Sequence, residues 1–125
     1  MKLLLDANFL VLPFQFSVEI FEEFERLTNG YYELYTLERT LNEAMNIRDG
    51  RYRKLVKKLM NVKDIEIIST SSRHTVDHDL FEKGFQGFVV CTNDKELKRK
   101  LDKENLPYIF LRSRNHLEGR NLRTI

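Results

Sequence analysis

The fold of this chain is decided by a short stretch in its C-terminal half, Phe88-Val89-Val90-Cys91-Thr92-Asn93-Asp94. Its first four residues are apolar without polar alternation, which indicates a strand that is buried on both faces. Asn93 occupies the position of an N-cap, and a charged helix is predicted from Asp94 to about Glu104. A doubly buried strand followed at once by a helix is typical of a parallel sheet covered by helices.

The same alternation of short apolar runs and helical patterns extends along the whole chain. Further strands are predicted at residues 3–5, 33–36, 65–68 and 107–111, and further helices at about 18–28, 37–46, 51–62 and 75–84. Ser17 and Thr75 are predicted N-caps, and the helix at 51–62 is predicted to turn Leu55, Leu59 and Val62 inward. This order predicts an α/β fold with three α/β/α layers around a mostly parallel sheet of about five strands.

The length and charge of the chain set its expected organisation. Its 125 residues fit a single domain, and we expect a folded unit at 1–111 with a basic tail at 112–125 that packs on this unit or extends from it. The net charge of +2 is too small to draw the whole molecule to nucleic acid. Local basic clusters are more informative, although many such clusters are only solvated surface. One lies at 48–63, and the other comprises Arg112, Arg114, Arg120 and Arg123.

Cysteine usage and hydropathy restrict the compartment. Cys91 is the only cysteine, so no internal disulfide can form, and its apolar neighbours indicate an unreactive core thiol. No stretch approaches the roughly 20 apolar residues of a membrane helix, and the apolar run at 3–5 is too short for a signal peptide. We therefore expect a soluble, cytoplasmic protein that does not engage a membrane.

Four acidic residues are predicted to lie where the chain leaves the strands. Asp6 ends the first strand, and the others belong to the helices after the second, third and fourth strands: Glu43, Asp77 and Asp94. Because the carboxyl ends of parallel strands share one edge of the sheet, we expect the four carboxylates within about 10 Å of one another. Helix capping alone would explain Asp77 or Asp94, whereas a carboxylate directly after Leu3-Leu4-Leu5 needs a reason.

Such a cluster is electrostatically costly without a cation. Two carboxylates about 4 Å apart repel by roughly 4 kcal/mol at an effective dielectric constant of about 20. Hard carboxylate oxygens without His or Cys suit Mg²⁺ or Mn²⁺, so either ion is the expected cofactor. An alternative is a Zn²⁺ site formed by Asp77 with His74 and His78, which are four residues apart. The sequence contains neither a glycine-rich phosphate loop nor a Cys-x-x-Cys pair.

Four short motifs, in the right order and spanning nearly the whole chain, resemble the acidic sites of PIN domains. They are Leu5-Asp6-Ala7-Asn8-Phe9, Thr40-Leu41-Asn42-Glu43, Thr75-Val76-Asp77-His78-Asp79-Leu80-Phe81 and Val89-Val90-Cys91-Thr92-Asn93-Asp94-Lys95-Glu96-Leu97. The resemblance implies a PIN-like fold and a metal-dependent endoribonuclease that cleaves single-stranded RNA. It makes the catalytic residues and metal ligands Asp6, Glu43, Asp77 and Asp94. The residues that it assigns to the wall of the site or to the substrate are Asn8, Thr92, Asn93, Lys95, Arg112 and Arg114.

The sequence departs from the family pattern at two of the acidic sites. Many relatives carry adjacent acids at the third site, whereas here the pair is split as Asp77-His78-Asp79. We favour Asp77 as the ligand, because Leu80 and Phe81 then align with the apolar residues of the family, and we keep Asp79 as a further candidate. Glu43 is followed by the small residue Ala44, where relatives usually have a larger one, so activity could be reduced.

Within the family, the chain is most similar to archaeal relatives of the eukaryotic nuclease that trims small-subunit ribosomal RNA. The similarity rests on Asp6-Ala7-Asn8-Phe9, on Pro13-Phe14-Gln15-Phe16 and on residues 95–109. It implies a ribosomal RNA precursor as substrate and a role in ribosome biogenesis. The second expectation is the toxin of a toxin–antitoxin pair, with an antitoxin as partner, and the third is an inactive ribosome assembly factor. A homodimer formed through Phe14-Gln15-Phe16 is a further hypothesis.

Overall fold

Six strands form one sheet in this computed structural model, which describes residues 1–16, 18–70 and 73–122. The strands are β1 (Lys2–Leu5), β2 (Glu33–Leu37), β3 (Glu66–Ile68), β4 (Phe88–Cys91), β5 (Tyr108–Ser113) and β6 (His116–Arg120). Their order is β3-β2-β1-β4-β5-β6; the first five are parallel, and β6 runs antiparallel to β5.

Helices cover both faces of this sheet. They are α1 (Ala7–Gln15), α2 (Ile20–Thr28), α3 (Glu38–Asn46), α4 (Arg53–Val62), α5 (Val76–Gly84) and α6 (Lys95–Lys103), with a short 3-10 turn at Ile47–Gly50. Because side chains alternate along a strand, Leu3 and Leu5 pack in the core beneath α1, α2 and α4, whereas Leu4 packs with residues of α5 and α6. The predicted three-layer α/β/α fold is confirmed.

The strand order reverses at β1, which lies in the middle of the sheet. From β1 the chain adds β2 and β3 on one side, and β4 and β5 on the other. The carboxyl end of β1 is therefore the topological switch point, where ligands of open α/β sheets bind. Asp6 is the first residue after β1 and lies at this point.

Helix α1 was not anticipated from the sequence, which gave no assignment to residues 7–16. Pro13 lies inside it and cannot donate a helical hydrogen bond. The carboxylate of Asp6 caps its first turn by accepting from the backbone N–H of Phe9 at 3.0 Å. Phe9, Leu10 and Val11 are completely buried, so tertiary packing outweighs the cost of the proline.

Helix α2 begins at Ile20 and ends as expected, because Asn29 adopts the left-handed conformation with φ 55°. Its predicted cap, Ser17, lies outside the described residues.

Helix α4 turns a different face to the core from the one predicted. Val56 is fully buried, whereas Leu55 and Val62 are 45% and 66% exposed. Leu59 is partly buried, so the prediction was wrong for Leu55 and Val62 only. The apolar residues of α4 outnumber the positions that can face the sheet at once, and only packing selects among them.

The sheet contains one strand more than expected, because residues 116–120 pair with β5. Two side chains of α2 occupy the outer edge of this strand. The N–H of Leu117 donates to Glu23 at 2.8 Å, and the guanidinium of Arg26 donates to the carbonyl of Leu117 at 2.8 Å. These bonds replace the missing strand partner at the edge of the sheet.

None of the helices in the described ranges is long and apolar enough to cross a membrane.

Candidate active site

A small cavity of about 60 Å³ opens at the carboxyl end of β1. Its lining brings together the four acids singled out in the sequence: Asp6 after β1, Glu43 of α3, Asp77 of α5 and Asp94 before α6. The remaining lining residues are Ala7, Asn8, Val76 and Leu80, so this lining includes no basic side chain among the described residues. Four carboxylates from distant parts of the chain thus share one cavity.

Asp6 is the buried member of this group, with 7% of its surface exposed. One of its oxygens accepts from the N–H of Phe9, and the other accepts from the hydroxyl of Thr92 at 2.5 Å. Burial raises the pKa of Asp6 to about 6, with a further contribution from the negative charge of Glu43, although the two hydrogen bonds oppose this rise. Hydrogen bonds therefore fix both oxygens of the carboxylate, and burial makes its negative charge unfavourable in the metal-free protein.

Residues 92–94 connect the cavity to two neighbouring elements. The fully buried hydroxyl of Thr92, which donates to Asp6, also accepts from the N–H of Asp94 at 3.1 Å. Asp94 caps α6 by accepting from the N–H of Leu97 at 2.8 Å, so the predicted cap at Asn93 is off by one residue. Asn93 instead accepts from the N–H of Leu111 in β5 at 2.7 Å. Residues 92–94 therefore fix the positions of Asp6, Asp94 and the β5–β6 hairpin relative to one another.

The split acid pair separates into two environments. Asp77 lines the cavity, and its pKa is raised by burial first and by the charge of Asp94 second. Asp79 does not belong to the cavity lining and instead contacts the guanidinium of Arg39 at 3.2 Å. Arg39 also donates to the carbonyl of His74 at 2.6 Å and so links α3, which carries Glu43, to α5. Arg39 is not among the residues singled out from the sequence, although it lies four residues before Glu43 and so on the same side of the helix.

The carboxylates do not form a closely packed ligand set. Among residues 1–16, 18–70 and 73–122, no three His, Cys, Asp or Glu side chains are arranged as a ready metal site. This finding applies to the Zn²⁺ alternative as well, where the ring centroids of His74 and His78 are 4.3 Å apart and the rings are tilted by 35°. The four acids nevertheless line one cavity, and Glu43, Asp77 and Asp94 are exposed to solvent there. Oxygen-only donors of this kind suit Mg²⁺ or Mn²⁺.

The residues assigned to the substrate are distributed around this edge of the sheet. Asn8 lies in the cavity lining, and Lys95 is exposed at the start of α6. Arg112 and Arg120 both contact Glu118, at 3.0 Å and 3.2 Å, so part of their charge is neutralised within the hairpin. Arg114 is exposed in the turn between β5 and β6. Arg123, the last member of the basic tail, lies outside the described residues.

Replacing Thr92 with Val tests whether its hydroxyl positions Asp6. Val has nearly the same shape but leaves one oxygen of the buried Asp6 without a donor, so we expect the free energy of unfolding to fall by about 1–3 kcal/mol. The pKa of Asp6 should rise further above its usual range. Thr92→Ser retains the hydroxyl and is the matched control. Urea denaturation of the three proteins measures the effect, and equal stability of the Val and Ser variants would contradict it.

Comparison with known families identifies the fold. The model of the "PIN like domain" family matches residues 3–114, which is most of the chain. The chain belongs to this PIN-like family. The family predicted from the four acidic motifs is therefore confirmed, and the matched range includes all four acids of the cavity.

Two individual proteins show how far the similarity of this PIN-like domain extends. Ribonuclease VapC4 of Methanocaldococcus jannaschii is 27% identical over 124 residues, covering 94% of this chain and 95% of the relative. A solved structure titled "Structure of the PIN domain endonuclease Utp24" superimposes with a TM-score of 0.78, covering 97% of this chain and 92% of that one. Its sequence identity of 19% supports a common fold and nothing finer.

Proposed function

We propose that this PIN-like protein is a metal-dependent endoribonuclease that cleaves single-stranded RNA at the cavity beside β1. The observation that carries the proposal is the shared cavity of Asp6, Glu43, Asp77 and Asp94, whose lining includes no basic residue in the described part of the chain. The ribonuclease named among its relatives, which matches nearly full length, supports RNA as the substrate. The proposed cofactor is Mg²⁺ or Mn²⁺.

The electrostatics of the cavity support a cation. The raised pKa values of Asp6 and Asp77 mean that negative charge at both positions is disfavoured by burial and by the neighbouring acids. A divalent ion would reverse this preference, because its positive charge stabilises the deprotonated carboxylates. Asp6 is the residue best prepared to hold it, since Phe9 and Thr92 already fix both of its oxygens. Asp79, which contacts Arg39, is the least suitable of the five candidate acids.

In the proposed reaction, the residues of the chain bind and orient the RNA around the cavity. The amide of Asn8 lies at the cavity and can donate to a phosphate oxygen. Lys95 and Arg114 are exposed cations on the same edge of the sheet, where they can hold the neighbouring phosphates. When bound, the divalent ion supplies charge stabilisation at the phosphate and activates water for in-line attack.

Two biological roles follow from different observations. The resemblance of residues 6–9, 13–16 and 95–109 to the ribosomal subgroup favours processing of a ribosomal RNA precursor within ribosome assembly. The second candidate is a toxin with an antitoxin partner, and the similarity to Ribonuclease VapC4 over 94% of the chain favours it. Growth arrest on expression, relieved by a co-expressed small partner protein, would favour the toxin.

The decisive experiment incubates the purified protein with end-labelled ribosomal RNA precursor and with an unrelated single-stranded RNA. We expect internal cleavage with Mn²⁺ or Mg²⁺, no cleavage with EDTA, and recovery when the ion is restored. Duplex RNA of the same sequence should resist, because the cavity is small and a paired strand would have to open. Cleavage that is undiminished in EDTA would reject the metal-dependent mechanism, and no cleavage under any of these conditions would reject the nuclease.

A further inference from the structure

A second concave surface lies on the same edge of the sheet as the acidic cavity. It is an open groove of about 500 Å³ between the end of α1 and the tip of the β5–β6 hairpin. Its lining residues are Gln15, Phe16, Ser113, Arg114 and Asn115. We call this surface the hairpin groove, and no acid contributes to its lining within the described ranges.

Two elements fix the position of the hairpin groove relative to the cavity. β5 pairs with β4 only at Tyr108 and Ile109, so its last residues continue past the sheet edge. α1 begins at the cavity, where Ala7 and Asn8 are lining residues, and ends at the groove. Its nine residues span about 13 Å, so the two surfaces are separated by a distance that a few nucleotides can bridge.

The chemistry of the hairpin groove fits a nucleobase. Phe16 is 38% exposed and lines the groove, whereas the nearby Phe14 is partly buried and stacks on Tyr52. Unpaired bases bind on such rings, and an arginine can stack on a base or bind its phosphate. Arg114 supplies this group, and the amides of Gln15 and Asn115 can donate to and accept from a base edge.

Another groove of similar size, about 490 Å³, differs from the hairpin groove in charge and shows why RNA is favoured at the hairpin groove. It lies at the amino ends of β2 and β3, and its lining contains the acids Glu25, Glu33, Asp64 and Glu66 with a single lysine, Lys63. Four carboxylates there would repel a phosphate backbone. The hairpin groove has the opposite charge and lies on the edge that carries the acidic cavity.

From this geometry we propose that the hairpin groove is a base-binding subsite, in which Phe16 stacks on one unpaired base of an RNA strand whose backbone passes the acidic cavity. Arg114 holds the adjacent phosphate. The subsite rests on the proposed ribonuclease function and extends it, because it selects a substrate that is unpaired at a fixed distance from the cleaved bond. It also gives the β5–β6 hairpin, anchored to Asn93, a role in substrate binding.

The test measures binding of fluorescent single-stranded oligoribonucleotides in EDTA, with one abasic nucleotide moved stepwise along the strand. Phe16→Leu retains apolar bulk but removes the ring, and we expect about tenfold weaker binding. At one position the abasic nucleotide should weaken binding of the wild type by a similar factor and have little further effect on the variant. Phe85→Leu is the matched control, because Phe85 is 54% exposed at the opposite end of α5.

Arg114→Met gives a second measurement that does not depend on the folding of the Phe16 variant. The loss of one phosphate contact should reduce the slope of log affinity against log salt concentration by about 0.7. If the wild type binds RNA but neither variant differs from it, the subsite is rejected and the nuclease proposal stands. If the Phe16 variant changes only the oligomeric state, the groove is a protein interface and the subsite is rejected. If the wild type neither binds nor cleaves RNA, both proposals fall.

Discussion

Asp6→Asn is expected to lower the rate of metal-dependent RNA cleavage by about a thousandfold while the protein stays folded. The carboxylate of Asp6 is the buried acid of the cavity, and the neutral amide cannot balance a divalent charge. Losing several kcal/mol of transition-state stabilisation corresponds to roughly three orders of magnitude in rate. The amide oxygen of Asn can still accept from the N–H of Phe9, so the cap of α1 is preserved.

The measurement compares single-turnover cleavage of one labelled RNA by the wild type and by two variants. Asp49→Asn is the matched control, since Asp49 is exposed and has a φ of 57°, which Asn adopts readily. It should cleave like the wild type. Circular dichroism should show that both variants are folded. Full activity of the Asp6 variant would remove this residue from the chemistry, and an unfolded variant would make its role structural.

The metal-free protein is expected to gain stability from Asp6 as the pH falls from 7 to 4. Its pKa is raised from 3.8 to about 6 in the folded state, so between these values the folded protein binds more protons than the unfolded chain. The contribution is fully present below pH 3.8 and is lost as the pH rises through 6. A shift of this size corresponds to about 3 kcal/mol in the free energy of unfolding.

The other carboxylates also change the pH dependence of stability: Asp77, whose pKa is raised, acts in the same direction as Asp6, whereas Glu23 acts in the opposite direction. The pKa of Glu23 is lowered mainly by its hydrogen bond with Arg26, so acid weakens that contact. Urea denaturation of the wild type and of Asp6→Asn in EDTA, from pH 4 to 8, isolates the contribution of Asp6 as a difference. The variant should gain stability relative to the wild type as the pH rises from about 4 through 6, and the difference should level off at higher pH. A difference that does not vary with pH would contradict the expectation.

At neutral pH, divalent ions should offset the lower stability of the wild type relative to Asp6→Asn. A ligand that binds only the folded state stabilises it by about 2.7 kcal/mol at a hundred times its dissociation constant. Mn²⁺ should therefore raise the stability of the wild type but have little effect on Asp6→Asn. Ca²⁺ and Mg²⁺ at equal concentration show whether the site prefers one hard cation over another.

The sequence by itself determined the elements that carry the acids. Phe88-Val89-Val90-Cys91 was predicted as a doubly buried strand, and all four of its residues are buried. Thr75 was predicted to cap the following helix, and its hydroxyl accepts from the N–H of His78 at 3.1 Å. Both signals are local: apolar runs without alternation and capping side chains act within a few residues. The parallel sheet then brings the ends of its strands to one edge.

The tertiary structure alone decided which side chains meet there and which face each helix buries. Asp77 and Asp79 point to different sides of α5, because they are two residues apart on a helix. Only the tertiary structure shows that the cavity lies on the side of Asp77 and that Arg39, forty residues away, lies on the side of Asp79. α1 forms despite Pro13, and α4 buries Val56 rather than Leu55, because long-range packing outweighs local propensity. The last strand, β6, pairs with its neighbour β5 in a hairpin, and Glu23 and Arg26 of α2 hold its outer edge. The two contacts with α2 span 94 and 91 residues, and contacts of this range leave no periodic signal in the sequence.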